Sequence, residues 1–141
     1  MRVRHNVRAV LHDAGHLVFL RRGWFDGPPF HTTVGGGVEP YDADLEAALR
    51  REVREEVGAE IGPATEFLTL TDAGPRVTVV HHYFHADVLS LDPSRRSGPE
   101  LDDPDLGEFT PVRVPFEVSA LEALDLEPPE LAAYLRERAE H

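Results

Sequence analysis

The sequence predicts an α+β domain in which a mixed, mostly antiparallel β-sheet is sandwiched between α-helices. Three observations predict this fold. Several segments alternate apolar and polar residues as strands do, one charged segment has the spacing of an amphipathic helix, and turns with glycine or proline separate them. The 141 residues have the length of one domain, so we expect a single domain over residues 1–141.

The first half of the chain predicts strands and then a helix. VRHNVRAVLH and HLVFLRR are rich in β-branched and apolar residues and flank DAG, which predicts an antiparallel hairpin. GWFDGPPF predicts a loop, and TTVGGG a short strand that ends in glycine. The first helix is predicted from Asp44 to Val57, with Asp42 or Asp44 as its cap and Gly58 at its end.

The second half predicts two long strands, a long loop and closing helices. ATEFLTLT and RVTVVHHYFHADVLSL alternate like strands joined at DAGP, and their histidines favour sheet packing over a zinc site, for which further ligands are not identified. DPSRRSGPELDDPDLG is a polar loop, in which Arg95 and Arg96 are expected to be solvated. EFTPVRV predicts a last strand. SALEAL and PPELAAYLRERAEH predict helices, the second with prolines where a helix can start.

Composition limits the class of protein. The formal net charge is −12, from 14 basic and 26 acidic residues, which argues against binding of long nucleic acid. A small phosphorylated ligand stays possible, because a bound divalent cation inverts the local field. The absence of cysteine excludes disulfides and thiolate metal sites. No secretory signal or membrane-length apolar stretch is present, so we expect a soluble cytoplasmic protein without membrane partners.

The predicted helix places acidic side chains beside its apolar stripe. At about 100° per residue, Leu49 and Val53 belong to the core stripe, Glu56 falls inside it, Glu52 lies on its flank and Glu55 lies just beyond. A solvated helix would place its glutamates opposite the leucines instead. Three neighbouring carboxylates repel one another, and burying them is costly unless a cation compensates. We therefore favour a divalent-metal site, with a structural ion-pair network as the alternative.

Gly35, Gly36 and Gly37 directly precede this helix region. Three glycines let a backbone approach a ligand closely, although a plain tight turn explains them equally well. The chain lacks both the G-x-x-x-x-G-K-[ST] pattern of a P-loop and the dinucleotide-binding G-x-G-x-x-G pattern followed by a βαβ unit. Any phosphate chemistry must therefore be of another kind.

The segment GGGVEPYDADLEAALRREVREEVGA resembles the Nudix box, written G-x5-E-x7-R-E-U-x-E-E-x-G-U with U a bulky aliphatic residue. Its position for the first glutamate holds Ala43, but one extra loop residue would let Asp42 take that role, which in the family braces the loop against the helix. The fixed letters that match are Arg51, Glu52, Val53, Glu55, Glu56 and Gly58, with Ala59 standing for the last aliphatic residue.

The resemblance implies a Nudix-type hydrolase that cleaves the pyrophosphate linkage of a nucleoside diphosphate linked to another group X, with Mg²⁺ or Mn²⁺ as cofactor. Glu52, Glu55 and Glu56 would be metal ligands together with the carbonyl of Gly35, and Glu52 would orient or deprotonate the attacking water. Arg51 would hold a glutamate through a bidentate ion pair.

The resemblance also calls for a distant acid, for which we prefer Glu100, with Glu108 as the alternative. A solvated loop acid explains either residue equally well.

Other residues are assigned to substrate binding. Arg21 and Arg22 end a strand and could meet the phosphates, and Trp24 and Phe30 could stack on the base. Exposed strand-end arginines and loop-anchoring aromatic residues are the alternatives. The substrate would be a small nucleotide, such as a nucleoside triphosphate, ADP-ribose, a dinucleoside polyphosphate or a nucleotide sugar. A homodimer agrees with the resemblance, since relatives are often dimers. The competing function is a Nudix-like sensor that binds a nucleotide without cleaving it.

Overall fold

The computed structural model describes residues 2–23, 27–97 and 107–139. Within these ranges the chain forms an α+β structure, as predicted. The strands are β1 (Arg2–Asp13), β2 (His16–Gly23), β3 (Phe30–Thr32), β4 (Val34–Gly37), β5 (Ala59–Ile61), β6 (Thr65–Ala73), β7 (Val77–Leu91) and β8 (Glu108–Pro115), and the helices are α1 (Leu45–Val57), α2 (Val118–Glu122) and α3 (Pro129–Arg138).

The chain divides into two compact units, one from Met1–Leu11 and Val34–Ser97 and one from His12–Thr33 and Gly98–His141. The expected single domain over residues 1–141 stays a prediction. No helix in the described part of the chain is both long and apolar enough to cross a membrane.

In the first unit, strands support helix α1. β1 lies beside β7 and pairs antiparallel with β4, and β7 pairs antiparallel with both β5 and β6. Helix α1 packs against β4 and β5. β5 was not predicted, because three residues are too few to show an alternating pattern.

Helix α1 begins and ends where its sequence signals predict. The carboxylate of Asp44 accepts a hydrogen bond from the amide of Ala47, and Gly58 ends the helix with a φ of 71°, a left-handed conformation that glycine adopts readily. Leu49 and Val53 are fully buried, which confirms the predicted apolar stripe. The caps therefore fix the register of the acidic residues on this helix.

The three glycines form strand β4 together with Val34, which are the last four residues of the predicted strand TTVGGG, whereas Thr32 ends β3. Gly35, Gly36 and Gly37 pair with Arg8, Val7 and Asn6 of β1. A Cβ atom on Gly35 would collide with the carbonyl oxygen of Val7. The glycines thus provide a strand whose backbone can be approached closely.

The second unit is organised around β2. This strand pairs antiparallel with β3 on one side and with β8 on the other, from His16↔Pro115 to Gly23↔Glu108. Ala14 and Gly15, in the predicted turn before β2, have φ angles of 49° and 79°, as a tight type I′ turn requires. Helices α2 and α3 pack together, and α3 starts at a proline, as predicted.

The predicted long loop begins with a 3₁₀ turn at Pro93–Arg95, and its residues 98–106 lie outside the described ranges.

Candidate active site

Two acidic residues of α1 are buried in the first unit. Glu52 is 6% exposed and Glu56 is 4% exposed, and no other charged residue in the described ranges is buried. The side chain of Glu55 is 28% exposed. Exposure thus rises from Glu56 to Glu52 to Glu55, in the order of their predicted distance from the centre of the apolar stripe. Because an ionised carboxylate is costly to bury without compensation, the environment of Glu52 and Glu56 should contain donors or cations.

Arg51 compensates the charge of Glu52. Its Nε and Nη2 atoms donate to Asp42 Oδ1 and Oδ2 at 3.0 and 2.8 Å, a bidentate pair. Its Nη1 atom lies 2.9 Å from Glu52 Oε1 and 3.4 Å from Glu55 Oε2, and Nη2 also donates to the carbonyl of Gly37 at 3.0 Å. The hydrogen bonds to Asp42 and the charge of Glu52 raise the pKa of Arg51 above its ordinary value, against the effect of burial. One guanidinium thus joins the helix, the preceding loop and β4.

Asp42 occupies the place suggested for the first acid of the box. Its Oδ2 atom accepts a hydrogen bond from the amide of Glu39 at 2.8 Å, and its own amide donates to the Glu39 carbonyl at 3.0 Å. The same carboxylate holds Arg51, and only 4% of its side chain is exposed. Ala43, the residue at the expected spacing, is exposed. Asp42 therefore braces the loop against the helix.

Asp42→Asn should destabilise the protein by about 2 kcal/mol at pH 7, because hydrogen bonds to a charged group contribute about 1.5–3 kcal/mol. The hydrogen bonds from Arg51 hold the pKa of Asp42 below its ordinary value of 3.8. The ionised carboxylate therefore stabilises the fold above pH 3.8, and this contribution disappears as the pH falls through the lowered pKa. Urea unfolding of both proteins at pH 7 and at pH 3 measures the effect.

Asp13→Asn is the matched control for that variant. Asp13 pairs with Arg113 at 3.1 Å, but 29% of the Asp13 side chain and 47% of the Arg113 side chain are exposed. Such a pair contributes less than about 1 kcal/mol. If the two variants were equally stable at pH 7, Asp42 would not be the brace that its contacts indicate.

Glu56 and Glu52 approach the backbone of β4. The amide of Gly35 donates to Glu56 Oε1 at 2.7 Å. A Cβ atom on Gly36 would lie only 2.6 Å from the carboxyl carbon of Glu52 and 2.6–2.7 Å from its oxygens. The absence of side chains on β4 thus lets two buried carboxylates lie directly against it. Gly35 contacts Glu56 through its amide, and the role of its carbonyl as a metal ligand stays a prediction.

The segment after β7 holds the C-terminal end of α1. Arg96 Nε donates to the carbonyl of Glu56 at 2.5 Å, and the amide of Ser97 donates to the carbonyl of Glu55 at 2.8 Å. Burial lowers the pKa of Arg96, and the charge of Glu56 opposes that effect. The expectation of a solvated charge is therefore wrong for Arg96, because its donors satisfy a helix-terminal carbonyl. Arg95 is largely exposed beside Asp92.

The donor set of α1 suits a hard divalent cation. Carboxylate oxygens are the ligands that Mg²⁺ prefers, and the Glu52 carboxylate fills the space left by the missing side chain of Gly36. In the arrangement described for residues 2–23, 27–97 and 107–139, however, no three His, Cys, Asp or Glu residues are grouped so that they could share one ion. Glu52 and Glu55 instead turn towards Arg51, and Glu56 towards Gly35. The roles of Glu52, Glu55 and Glu56 as metal ligands stay predictions.

The predicted substrate-binding residues that can be located lie in the second unit. Arg21 Nη1 is 3.3 Å from Glu108 Oε1, and Arg22 Nε donates to the carbonyl of Glu108 at 3.1 Å. Arg22 also lies 3.6 Å from the ring centre of Phe109, and Phe30 pairs with Arg22 across the β2–β3 ladder. The roles of Arg21, Arg22 and Phe30 in substrate binding stay predictions. Trp24 and Glu100 lie outside the described residues.

Sequence reasoning did not single out Tyr41. Its side chain is among the most exposed large hydrophobic groups described, at 72%. The ring centre lies 5.4 Å from the guanidinium carbon of Arg51, within the range of a cation–π contact. The sequence feature that could have drawn attention to Tyr41 is its position inside the box, next to Asp42.

A sequence profile of the NUDIX domain matches residues 2–135. Solved structures have the same fold. A NUDIX hydrolase from Nitrosomonas europaea is 19% identical with a TM-score of 0.72, over 96% of this chain and 87% of that one. A MutT NUDIX hydrolase from Burkholderia pseudomallei is 20% identical with a TM-score of 0.64, over 97% and 98% of the two chains. An ADP compounds hydrolase is 23% identical with a TM-score of 0.71, over 96% and 71%.

Comparison with curated protein sequences finds no match. Because the profile covers nearly the whole sequence, the chain belongs to the Nudix family. The predicted family, the α+β fold and the assignment to the hydrolases are thereby confirmed.

Proposed function

We propose that this protein is a divalent-metal-dependent pyrophosphohydrolase whose substrate is a small nucleoside diphosphate linked to a second group X. The observation that carries the proposal is the pair of buried carboxylates, Glu52 and Glu56, held against a strand of three glycines. Buried glutamates on the packed face of a helix are rare unless a partner or a cation compensates their charge. The similar fold of an ADP compounds hydrolase supports a nucleotide-type substrate.

In this proposal Glu52, Glu55 and Glu56 hold the cation, which is Mg²⁺ or Mn²⁺, and the carbonyl of Gly35 completes the set. When bound, the cation supplies Lewis-acid stabilisation of the charge on the phosphate oxygens. Glu52 orients the attacking water and accepts its proton. The water oxygen bonds to phosphorus as the bridging P–O bond breaks, giving a nucleoside monophosphate and phosphorylated X.

Arg51 positions these acids. Its contacts with Glu52 and Glu55 oppose their mutual repulsion, and the contact with Asp42 holds the guanidinium in place. If Glu55 turns towards a cation, the bidentate pair with Asp42 keeps Arg51 beside Glu52. Arg51 is therefore a positioning residue in this scheme.

The remaining roles are assigned to loops and to the second unit. Arg21 and Arg22 are proposed to bind phosphate oxygens, and Trp24 and Phe30 to stack on the base. Glu100 is the preferred distant acid. The alternative, Glu108, accepts hydrogen bonds from Arg21 at 3.3 Å and from the hydroxyl of Thr110 at 2.6 Å, both through its Oε1 atom. A cytoplasmic location and a homodimer belong to the same proposal.

A screen of nucleoside triphosphates, ADP-ribose, dinucleoside polyphosphates and nucleotide sugars tests the function. We expect a nucleoside monophosphate to appear when Mg²⁺ or Mn²⁺ is present and no product in EDTA. A phosphatase-coupled assay measures phosphate, and chromatography identifies the nucleotide. Cleavage that persists in EDTA would contradict the metal-dependent mechanism.

A nucleotide sensor is the second candidate, since Arg51 compensates the charges of both Glu52 and Glu55. Isothermal titration with the same compounds separates the two functions. Binding without any product would indicate a sensor, whereas turnover would exclude one.

A further inference from the structure

A cavity of about 610 Å³ lies in the first unit, at the start of β1. Its polar wall contains Arg2, Arg4, His5, His82 and Glu39, and the remaining wall is apolar, from residues around the end of β4 and the first residue of α1. This volume falls within the range of about 300–1,000 Å³ that is typical of small-molecule sites. The cavity is therefore large enough for a phosphorylated sugar.

The charge of this wall is opposite to that of the chain as a whole. Arg2 and Arg4 contribute two guanidinium groups against the single carboxylate of Glu39, in a protein whose formal net charge is −12. Among the described residues, neither arginine side chain has a hydrogen-bond or ion-pair partner. In such an acidic protein, unpaired guanidinium groups at a concave surface are available for an anionic ligand.

The two histidines are held in a fixed orientation. His82 Nδ1 lies 2.8 Å from Glu66 Oε2, and His82 Nε2 lies 3.0 Å from His5 Nδ1. Because an ionised carboxylate can only accept, His82 Nδ1 carries a hydrogen. The hydroxyl of Thr69 donates to the same Glu66 oxygen at 2.9 Å. This chain of hydrogen bonds fixes both rings in the cavity wall, and no described residue forms a hydrogen bond with the Nε2 atom of His5.

The cavity adjoins the backbone of β4. A Cβ atom on Gly37 would lie 3.6 Å from Arg4 Nη2, so the guanidinium of Arg4 lies close to that glycine. The carbonyl of Gly37 accepts from Arg51, and the amide of Val38 donates to the carbonyl of His5 at 2.9 Å. Gly37 therefore lies close to Arg4 of the basic wall and also accepts a hydrogen bond from Arg51 of helix α1.

We propose that this cavity is a binding site for the phosphate group of a small phosphorylated molecule, with Arg2 and Arg4 as its charged donors. Guanidinium groups match the geometry of a phosphate group and bind it through charge-assisted hydrogen bonds. The phosphate belongs either to the part of the substrate beyond the cleaved linkage or to a separate phosphorylated molecule. Only the first of these sources rests on the proposed function.

Titration of ¹⁵N-labelled protein with ribose 5-phosphate, in EDTA, tests the site by NMR. The chelator removes cations, so that the acids of α1 cannot retain the phosphate. We expect saturable shifts of the amide signals of Arg4, His5 and Val38, and none with ribose. Arg2→Gln/Arg4→Gln should raise the dissociation constant at least about tenfold, since both charged hydrogen-bond donors to the phosphate are removed.

Arg76→Gln/Arg136→Gln is the matched control, because it removes two charges from exposed positions that do not line the cavity. This variant should bind ribose 5-phosphate as the unchanged protein does. Equal weakening in both double variants, or an absence of shifts at the three amides, would overturn the proposal. Retained dispersion of the remaining NMR signals shows that each variant is folded.

Kinetics with Mg²⁺ shows whether the bound phosphate belongs to the substrate or to a separate molecule. If the substrate carries the phosphate, Arg2→Gln/Arg4→Gln raises KM for a nucleoside triphosphate about tenfold and leaves KM for ADP-ribose unchanged, since ADP-ribose has no further phosphate. If a separate molecule carries it, both KM values stay unchanged while ribose 5-phosphate still binds in EDTA. A failed titration leaves Mg²⁺-dependent cleavage untouched, so the site and the proposed function are tested independently.

Discussion

Glu56→Gln is expected to lower Mg²⁺-dependent turnover at least about a hundredfold, since even the partners of metal ligands cost about 10–100-fold when removed. The protein should stay folded. The glutamine oxygen can still accept the hydrogen bond that Gly35 donates to Glu56 Oε1 at 2.7 Å, and the substitution removes a charge from a side chain that is only 4% exposed. Nucleoside monophosphate release measures turnover, and circular dichroism with thermal unfolding measures the fold.

Glu46→Gln provides the comparison on the same helix. Glu46 pairs with Arg50 at 2.9 Å, and 45% of its side chain is exposed. An exposed pair of this kind contributes about 0.3–0.5 kcal/mol, so turnover and unfolding temperature should both stay close to those of the unchanged protein. Full activity of Glu56→Gln, with the fold intact, would exclude the proposed role of Glu56.

Gly36→Ala is expected to reduce turnover about a hundredfold while the protein remains folded, because the new methyl group would occupy the position of the Glu52 carboxylate. The carboxyl carbon of Glu52 lies 2.6 Å from where that methyl group would be. Since a carboxylate ends a flexible side chain, the strain is relieved by moving it, and we expect a loss of about 1–3 kcal/mol in the free energy of unfolding. Turnover should be measured at a temperature well below the unfolding transition.

Gly62→Ala separates displacement of Glu52 from a general effect of replacing glycine. A Cβ atom on Gly62 would lie 3.8 Å from a methyl carbon of Leu89, an ordinary van der Waals contact. This variant should retain its turnover. If Gly36→Ala were as active as Gly62→Ala, the carboxylate of Glu52 would not need the space that Gly36 leaves.

The sequence predicted the position of the acidic helix well, since its signals are local. Asp44 and Gly58 are residues that cap helices, and the spacing of Leu49 and Val53 orients the helix. The order of exposure of its acids follows from the same geometry. The longer strands were also predictable, because they are long enough to show alternation.

Other features depend on contacts between distant residues. The strand formed by the glycines depends on pairing with β1, and β3 and β5 are too short to be recognised from a pattern. Arg96 looked like a loop charge because its acceptor, the carbonyl of Glu56, is 40 residues away in the sequence. The sequence left a metal site and an ion-pair network as alternatives. The contacts of Arg51 show that an ion-pair network is present.

The salt bridge between Asp42 and Arg51 forms although the sequence departs from the motif in two ways. Aspartate is one methylene shorter than glutamate, and an additional backbone residue separates it from the helix, yet its two oxygens still lie 2.8 and 3.0 Å from the guanidinium nitrogens. A motif defined by constant intervals would reject this chain, although the salt link that those intervals serve is preserved. Divergent members of the family are therefore recognised better by the contacts that their motif residues form than by the number of residues between them.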